Sequence, residues 1–141
     1  MEKIIVLSIK PVFSEEIYKL NKRVELRRGI GKCFKPNSQI LIYSTSPLKA
    51  ITGSARIHYI EEVPVTKIVE QYAKDACIDS AACSAYFSGK STGYLIWLMD
   101  VVRYKEPIYL SDLKKVGFTA PQSYSYATSD LTNLVSRKCQ L

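Results

Sequence analysis

The sequence predicts an α+β fold in which strands build most of a barrel wall and short helices decorate it, and three observations lead there. Strand and helix signals alternate along the chain without a regular repeat. Gln39–Tyr43 and Ile51–Val63 read as two strands about a turn at Ser46-Pro47, the second long, aromatic and β-branched. At 141 residues, 47% hydrophobic and 23% charged, the chain can bury one substantial core and lacks the depletion of a disordered segment, so one domain over 1–141 is expected.

The elements follow in order. Ile4–Ile9 is a buried strand, and Ser14 is expected to cap a short helix with Glu15 and Glu16 in its first turn and Phe13, Ile17 and Leu20 at helical spacing. A strand over Arg23–Arg27 comes next. After the two wall strands, Thr66 is expected to cap a helix from Lys67 to about Ala76, with Ile68, Val69 and Tyr72 inward. Asp79 caps a second helix to Phe87 that ends at Gly89, and this pair, about 66–88, reads as an insertion. Tyr94–Arg103 is the strongest strand, apolar on both faces and so covered on both. Leu110–Lys115 is expected to be a short helix capped by Ser111. Ser129–Lys138 is a terminal helix striped by Leu131, Leu134 and Val135.

Charge is localised. The first 35 residues hold nine basic and four acidic side chains, so this quarter carries +5 of the formal +7. In the run from Lys22 to Arg27 the pleat sends Arg23, Glu25 and Arg27 to one face and Val24 and Leu26 to the other, which predicts a charged surface backed by core. A lone carboxylate between cations fixes an Arg fork or a Lys head without cancelling the charge that attracts an anion. A pI near 9.2 points to an anionic partner.

Other chemistries are poorly supplied. Cys33, Cys77, Cys83 and Cys139 form no CxxC pair and His58 is the only histidine, so neither a metal nor another cofactor is expected. The Arg28–Lys32 run, RGIGK, lacks the spacing and hydroxyl of a phosphate loop and reads as a turn. The first apolar run is short and broken by Lys10, neither a signal peptide nor a membrane span, which predicts reduced thiols in the cytoplasm.

Lys22-x-x-Glu25-x-Arg27 resembles the G-x-K-x-x-E-x-R signature of the ASCH domains, small β-barrels of the PUA-like superfamily. Ser8–Pro11 (SIKP), Tyr43–Pro47 (YSTSP) and Ala120–Tyr126 (APQSYSY) resemble its longer prokaryotic branch, and together the likeness runs from about residue 3 to 126. It implies a PUA-like mixed barrel with short helices. It departs at Leu20, where the signature has glycine, and another turn of helix is expected in place of the tight turn.

The resemblance implies a cleft flanked by these motifs that receives nucleic acid or a nucleotide-like ligand. Candidate ligand-binding residues are Ser8, Lys10, Lys22, Glu25, Arg27, Tyr43, Ser44, Ser46, Gln122, Ser123 and Tyr124: cations for phosphate, rings for stacking, an amide and hydroxyls for a base edge. Two classes of function stand. One is an RNA-binding module, regulating translation or transcription. The other is a hydrolase, either a ribonuclease or an N4-acetylcytidine amidohydrolase, with Lys22 and Glu25 as its catalytic candidates. Binding is the expectation, because the position where hydrolytic relatives carry a hydroxyl nucleophile holds Glu25, and a carboxylate pairs with Lys22 instead of leaving it to act as base. Cleavage through the RNA 2′-hydroxyl needs no protein nucleophile and stays open.

Overall fold

The fold is described from a computed structural model, over residues 3–139. In chain order the elements are β1 (Ile5–Ile9), α1 (Pro11–Tyr18), β2 (Val24–Arg27), β3 (Gln39–Ser44) and β4 (Ala50–Pro64). There follow α2 (Val65–Lys67), running into one π-helical turn (Ile68–Tyr72), α3 (Ser80–Tyr86), β5 (Thr92–Tyr109), α4 (Leu110–Lys114), β6 (Tyr124–Tyr126) and α5 (Ser129–Lys138). The six strands form one mixed sheet in the order β2-β5-β4-β3-β1-β6, curled into a half-barrel. Only β1 and β3 run parallel.

The alternation of apolar residues explains how the sheet is covered. Ile5, Leu7 and Ile9 of β1 and Ile40 and Ile42 of β3 face one core with Ile17 of α1, Phe34 and Ile96. Val6, Leu41 and Tyr43 point the other way, into a second core closed by Leu113, Phe118 and the Leu131, Leu134 and Val135 stripe of α5. The segment between β4 and β5 supplies a third, in which Phe87, Ile68 and Ala76 lie on Val24, Leu26 and Leu95. Strands apolar on both faces need cover on both, and the helices provide it.

β4 and β5 are long enough to bend, and three register shifts along their ladder let them. At one of these Gly53 packs so closely that a Cβ would collide with the Val102 carbonyl and the Tyr18 ring.

Local details differ from the sequence expectations. Pro11 sits at the first position of α1 with Lys10 before it, and Ser14 lies inside the helix, its hydroxyl bonded to Ser44 Oγ at 2.8 Å. Proline is preset to helical φ and lacks an N–H that would be left unpaired at the first position, so the helix starts there without a serine. Pro64 and Tyr109 likewise precede α2 and α4, and neither Thr66 nor Ser111 caps. Asp79 does cap α3, accepting from Ala82 N at 2.7 Å, and Thr128 caps α5.

Leu20 is the clearest correction. It does not extend α1; it adopts φ +64°, the left-handed conformation a glycine would take, with its side chain 65% exposed. The turn is therefore kept and the leucine is strained in it, since its Cβ crowds the following carbonyl. Leu20→Gly is expected to leave the fold intact and to raise the free energy of unfolding by about 0.5–1 kcal/mol, read from urea denaturation.

Candidate functional site

β2 places the charged residues. Because Val24 and Leu26 are drawn under the 65–86 helices, Glu25 and Arg27 must point to the concave face, where Glu25 is opposite Ile96 of the first core. That face is covered, which overturns the expectation of a charged outer surface. Lys22, Glu25 and Arg27 are only 5%, 7% and 7% exposed, and an ion so buried must be paired.

The pairing is complete. Arg27 Nε and Nη2 donate to Glu25 Oε2 at 3.0 and 2.6 Å, and Nη2 also donates to the Ser8 carbonyl at 2.9 Å. Arg27 Nη1 donates to the Ser123 carbonyl and hydroxyl at 3.2 and 3.0 Å. All five guanidinium N–H groups are thus engaged. Since β2 is one edge of the sheet and Ser8 and Ser123 belong to the β1–β6 side, Arg27 ties the two edges of the half-barrel across its opening.

Lys22 is held differently. Its Nζ donates to the Ala76 carbonyl at 2.8 Å, lies 3.4 Å from Glu25 Oε1, and sits 5.1 Å from the centre of the Phe13 ring. An ammonium has three N–H groups, so one remains for a ligand. Burial pushes the Glu25 carboxyl up, but Arg27 and then Lys22, with hydrogen bonds from both, outweigh it and hold the group below its ordinary value. Two cations and one anion leave a net charge of +1 in a poorly solvated place, which favours an anionic guest.

Above this floor opens a cavity of about 550 Å³. Ser8, Lys10, Gln122 and Ser123 form one wall and rim, Phe13 and Thr45 another, and Ile78, Ala82 and Tyr86 from the segment between β4 and β5 close the third. Ser123 Oγ accepts from Arg27, so its own O–H is available to a guest. Tyr86 lines the mouth with its hydroxyl donating to the Leu26 carbonyl at 3.2 Å, and burial raises its phenol.

Seven of the eleven candidate residues therefore meet at this cavity: Ser8, Lys10, Lys22, Glu25, Arg27, Gln122 and Ser123. Four do not. Tyr43 is in the second core, on the opposite face, with its ring 5.6 Å from Phe118. Ser44 is buried in a hydroxyl chain from Ser14 through Thr52 to Tyr18. Ser46 is exposed at the turn before Pro47 while its neighbour Thr45 lines the cavity, and Tyr124 packs edge-on against Phe34 at 4.9 Å. Phe13, Thr45 and Tyr86 were not foreseen as site residues. Phe13 has the spacing of a core residue, and nothing local in the sequence says which way the segment between β4 and β5 folds.

Among the described residues no group of three metal-ligating side chains could hold an ion, and no helix is long and apolar enough to cross a membrane.

Residues 4–118 match the family described as Domain of unknown function (DUF365). The chain is similar to the ASCH domain-containing ribonuclease of Zymomonas mobilis, 31% identical with 96% of this chain and 93% of that protein covered. The crystal structure of ASCH from Zymomonas mobilis superposes with a TM-score of 0.87 at 30% identity, covering 96% of each chain, so the half-barrel with short helices is the PUA-like ASCH fold. A more distant likeness in fold alone is to the human THYN1 protein, with a TM-score of 0.60, 14% identity and coverage of 99% and 98%.

Proposed function

This chain belongs to the ASCH-domain family, and to the family described as Domain of unknown function (DUF365), and on that premise we propose that it binds single-stranded RNA, drawing one nucleotide unit into the cavity above Lys22. The observation that carries the reading is the fully paired Lys22–Glu25–Arg27 floor. It presents one net positive charge and one spare ammonium N–H at the base of a pocket whose volume suits a small ligand. Lys22 takes the anionic or carbonyl oxygen, Ser123 and Gln122 address a base or sugar edge, and Phe13 and Tyr86 supply ring surface. Arg27 holds the pocket's shape and offers the ligand no N–H of its own. The surrounding basic amino-terminal segment supports the same reading by adding phosphate attraction. In this reading the protein acts in the cytoplasm, where its four free cysteines stay reduced.

A second reading is ribonuclease activity, favoured by the name of the 31% identical relative. In it the RNA 2′-hydroxyl attacks the adjacent phosphorus, the P–O5′ bond breaks, and Lys22 stabilises the extra negative charge. The step needs a base for the 2′ proton and an acid for the leaving oxygen. Among the described residues the one carboxylate lining the cavity, Glu25, is held ionised by two cations, which makes it a weak base, and no histidine lines it. Binding is accordingly the stronger reading.

One experiment addresses both. A labelled single-stranded RNA is titrated at several salt concentrations, with single-stranded DNA as competitor because the human protein of the same fold was crystallised with 5-methylcytosine-containing DNA. The samples are then run on a denaturing gel. Contact with three to five phosphates gives a log–log slope of roughly −2 to −3.5, at about −0.7 per phosphate. A flat salt response would remove the phosphate contacts from the reading, absence of any binding would remove the reading itself, and accumulation of 2′,3′-cyclic phosphate ends, lost in Lys22→Ala, would establish the second.

A further inference from the structure

A second groove, of about 510 Å³, adjoins the first at Lys22 and opens on the other side of the α1–β2 turn. It is unusual in its rings. His58, Tyr59 and Trp97 line it with successive centroid separations of 4.9 and 5.7 Å; His58 meets Tyr59 edge-on, the Tyr59 and Trp97 rings are stacked with only 20° between their planes, and Tyr72, packed against the third core, meets Trp97 edge-on at 5.9 Å. A strand normally sends neighbours to opposite faces, but the register shift between Ile57 and Tyr59 lets His58 and Tyr59 line the same groove. Neither is needed by a core: both are exposed, and Tyr59 is 41% accessible. The Trp97 indole is held by a hydrogen bond to Glu61 at 2.9 Å, which fixes the ring's attitude.

Arg23 lines the same groove. It is exposed, and among the described residues its guanidinium makes no ion pair or hydrogen bond. A part-exposed Tyr59–Trp97 stack with His58 edge-on to it, beside a cation with no partner, is an arrangement on which the bases of a single strand rest while their phosphates are neutralised, and it needs no particular base because every base has a π face.

We propose that the His58–Tyr59–Trp97 groove, with Arg23, is a second contact for single-stranded RNA, on which the nucleotides flanking the one in the Lys22 cavity stack. This rests on the reading of the first cavity as an RNA site. Lys22 lines both grooves, so the two contacts lie on either side of one residue, within the reach of neighbouring nucleotides of one strand.

Trp97 is the chain's single tryptophan, so its fluorescence reports on this groove alone. Full-length protein is titrated with an oligouridylate, and with an abasic oligomer of equal length, while overall binding is followed independently by anisotropy of an end label. The oligouridylate should quench Trp97 in step with binding, and the abasic strand should bind with little quenching. Tyr59→Ala and His58→Ala change exposed side chains and should each weaken binding by at least about fivefold, the low end of base–aromatic stacking, while Tyr59→Phe keeps wild-type affinity. Arg23→Gln should lower the salt dependence by about one phosphate. Binding that leaves Trp97 emission unchanged and is indifferent to Tyr59→Ala overturns this inference and leaves the first site standing. Absence of any binding by anisotropy overturns both.

Discussion

Arg27→Met is expected to destabilise the protein by about 3–5 kcal/mol, the loss found when one partner of a buried ion pair is removed and its counter-charge stays behind. The methionine fills much of the same space, so the loss is electrostatic. Glu25 keeps only the 3.4 Å contact with Lys22, and the Ser8 and Ser123 carbonyls lose a charged donor. Because those carbonyls lie across the opening of the half-barrel from β2, the 120–126 segment should loosen first, visible as faster amide exchange there than in β3 or β4. Arg27→Lys should recover little of the stability, since an ammonium cannot reach Glu25, Ser8 and Ser123 together as the planar fork does. Urea denaturation of the three proteins measures this, and a loss under 1 kcal/mol for Arg27→Met would show that the seam closes without it.

Glu25→Gln should weaken RNA binding although it makes the protein more positive. Bulk attraction predicts the opposite. The amide cannot hold both cations, so Lys22 loses the contact that aims its Nζ into the cavity, and its remaining bond to Ala76 draws it to the wall. Binding should fall by about tenfold or more, the value of one charge-assisted hydrogen bond of roughly 1.5–3 kcal/mol. The variant also tests the electrostatics through pH. The Glu25 carboxyl titrates lower in the folded chain than its ordinary 4.5, so its ionised form stabilises the fold fully above that value. The contribution disappears as pH drops through the lower, folded value. The stability gap between wild type and Glu25→Gln should therefore be widest near neutrality and close on acidification below about 4.5. A gap that is constant with pH, or tighter RNA binding by the variant, would mean that Glu25 does not organise the cations.

Much of the architecture was legible because short-range patterns carry it. Continuous apolar runs locate β1 and β3, a long aromatic and β-branched run locates β4, the 131–134–135 stripe locates α5, and Asp79 marks the start of α3. The pleat of β2 puts Glu25 and Arg27 on one face as its alternation with Val24 and Leu26 requires, but Arg23, expected with them, precedes the strand and lines the second groove, while Lys22 joins Glu25. Where helices begin was read less well. The sequence offers serine and threonine as caps at Ser14, Thr66 and Ser111, whereas α1 starts on a proline and α2 and α4 start with no side-chain cap. Leu20 shows the same limit from the other side: tertiary packing keeps the turn and makes a leucine adopt a glycine's conformation.

What the sequence determined by itself is five of the six strands, the localisation of charge, and the cluster Lys22, Glu25 and Arg27 as residues that act on one another. Those follow from neighbours two or three positions apart, within reach of the pleat and of a side chain. What only the tertiary structure decided is which surface becomes the site. Tyr43 and Ser44 stand next to Thr45, yet one lies in a core on the far side of the sheet, one is sealed in a hydroxyl chain and only Thr45 reaches the cavity. Tyr86 reaches the cavity from some sixty positions away, because the helices between β4 and β5 fold back over β2. The charged face of β2 was read as open to water and is covered for the same reason. Whether a polar face is solvated or buried depends on long-range packing that buries apolar area elsewhere, and no local pattern encodes that choice.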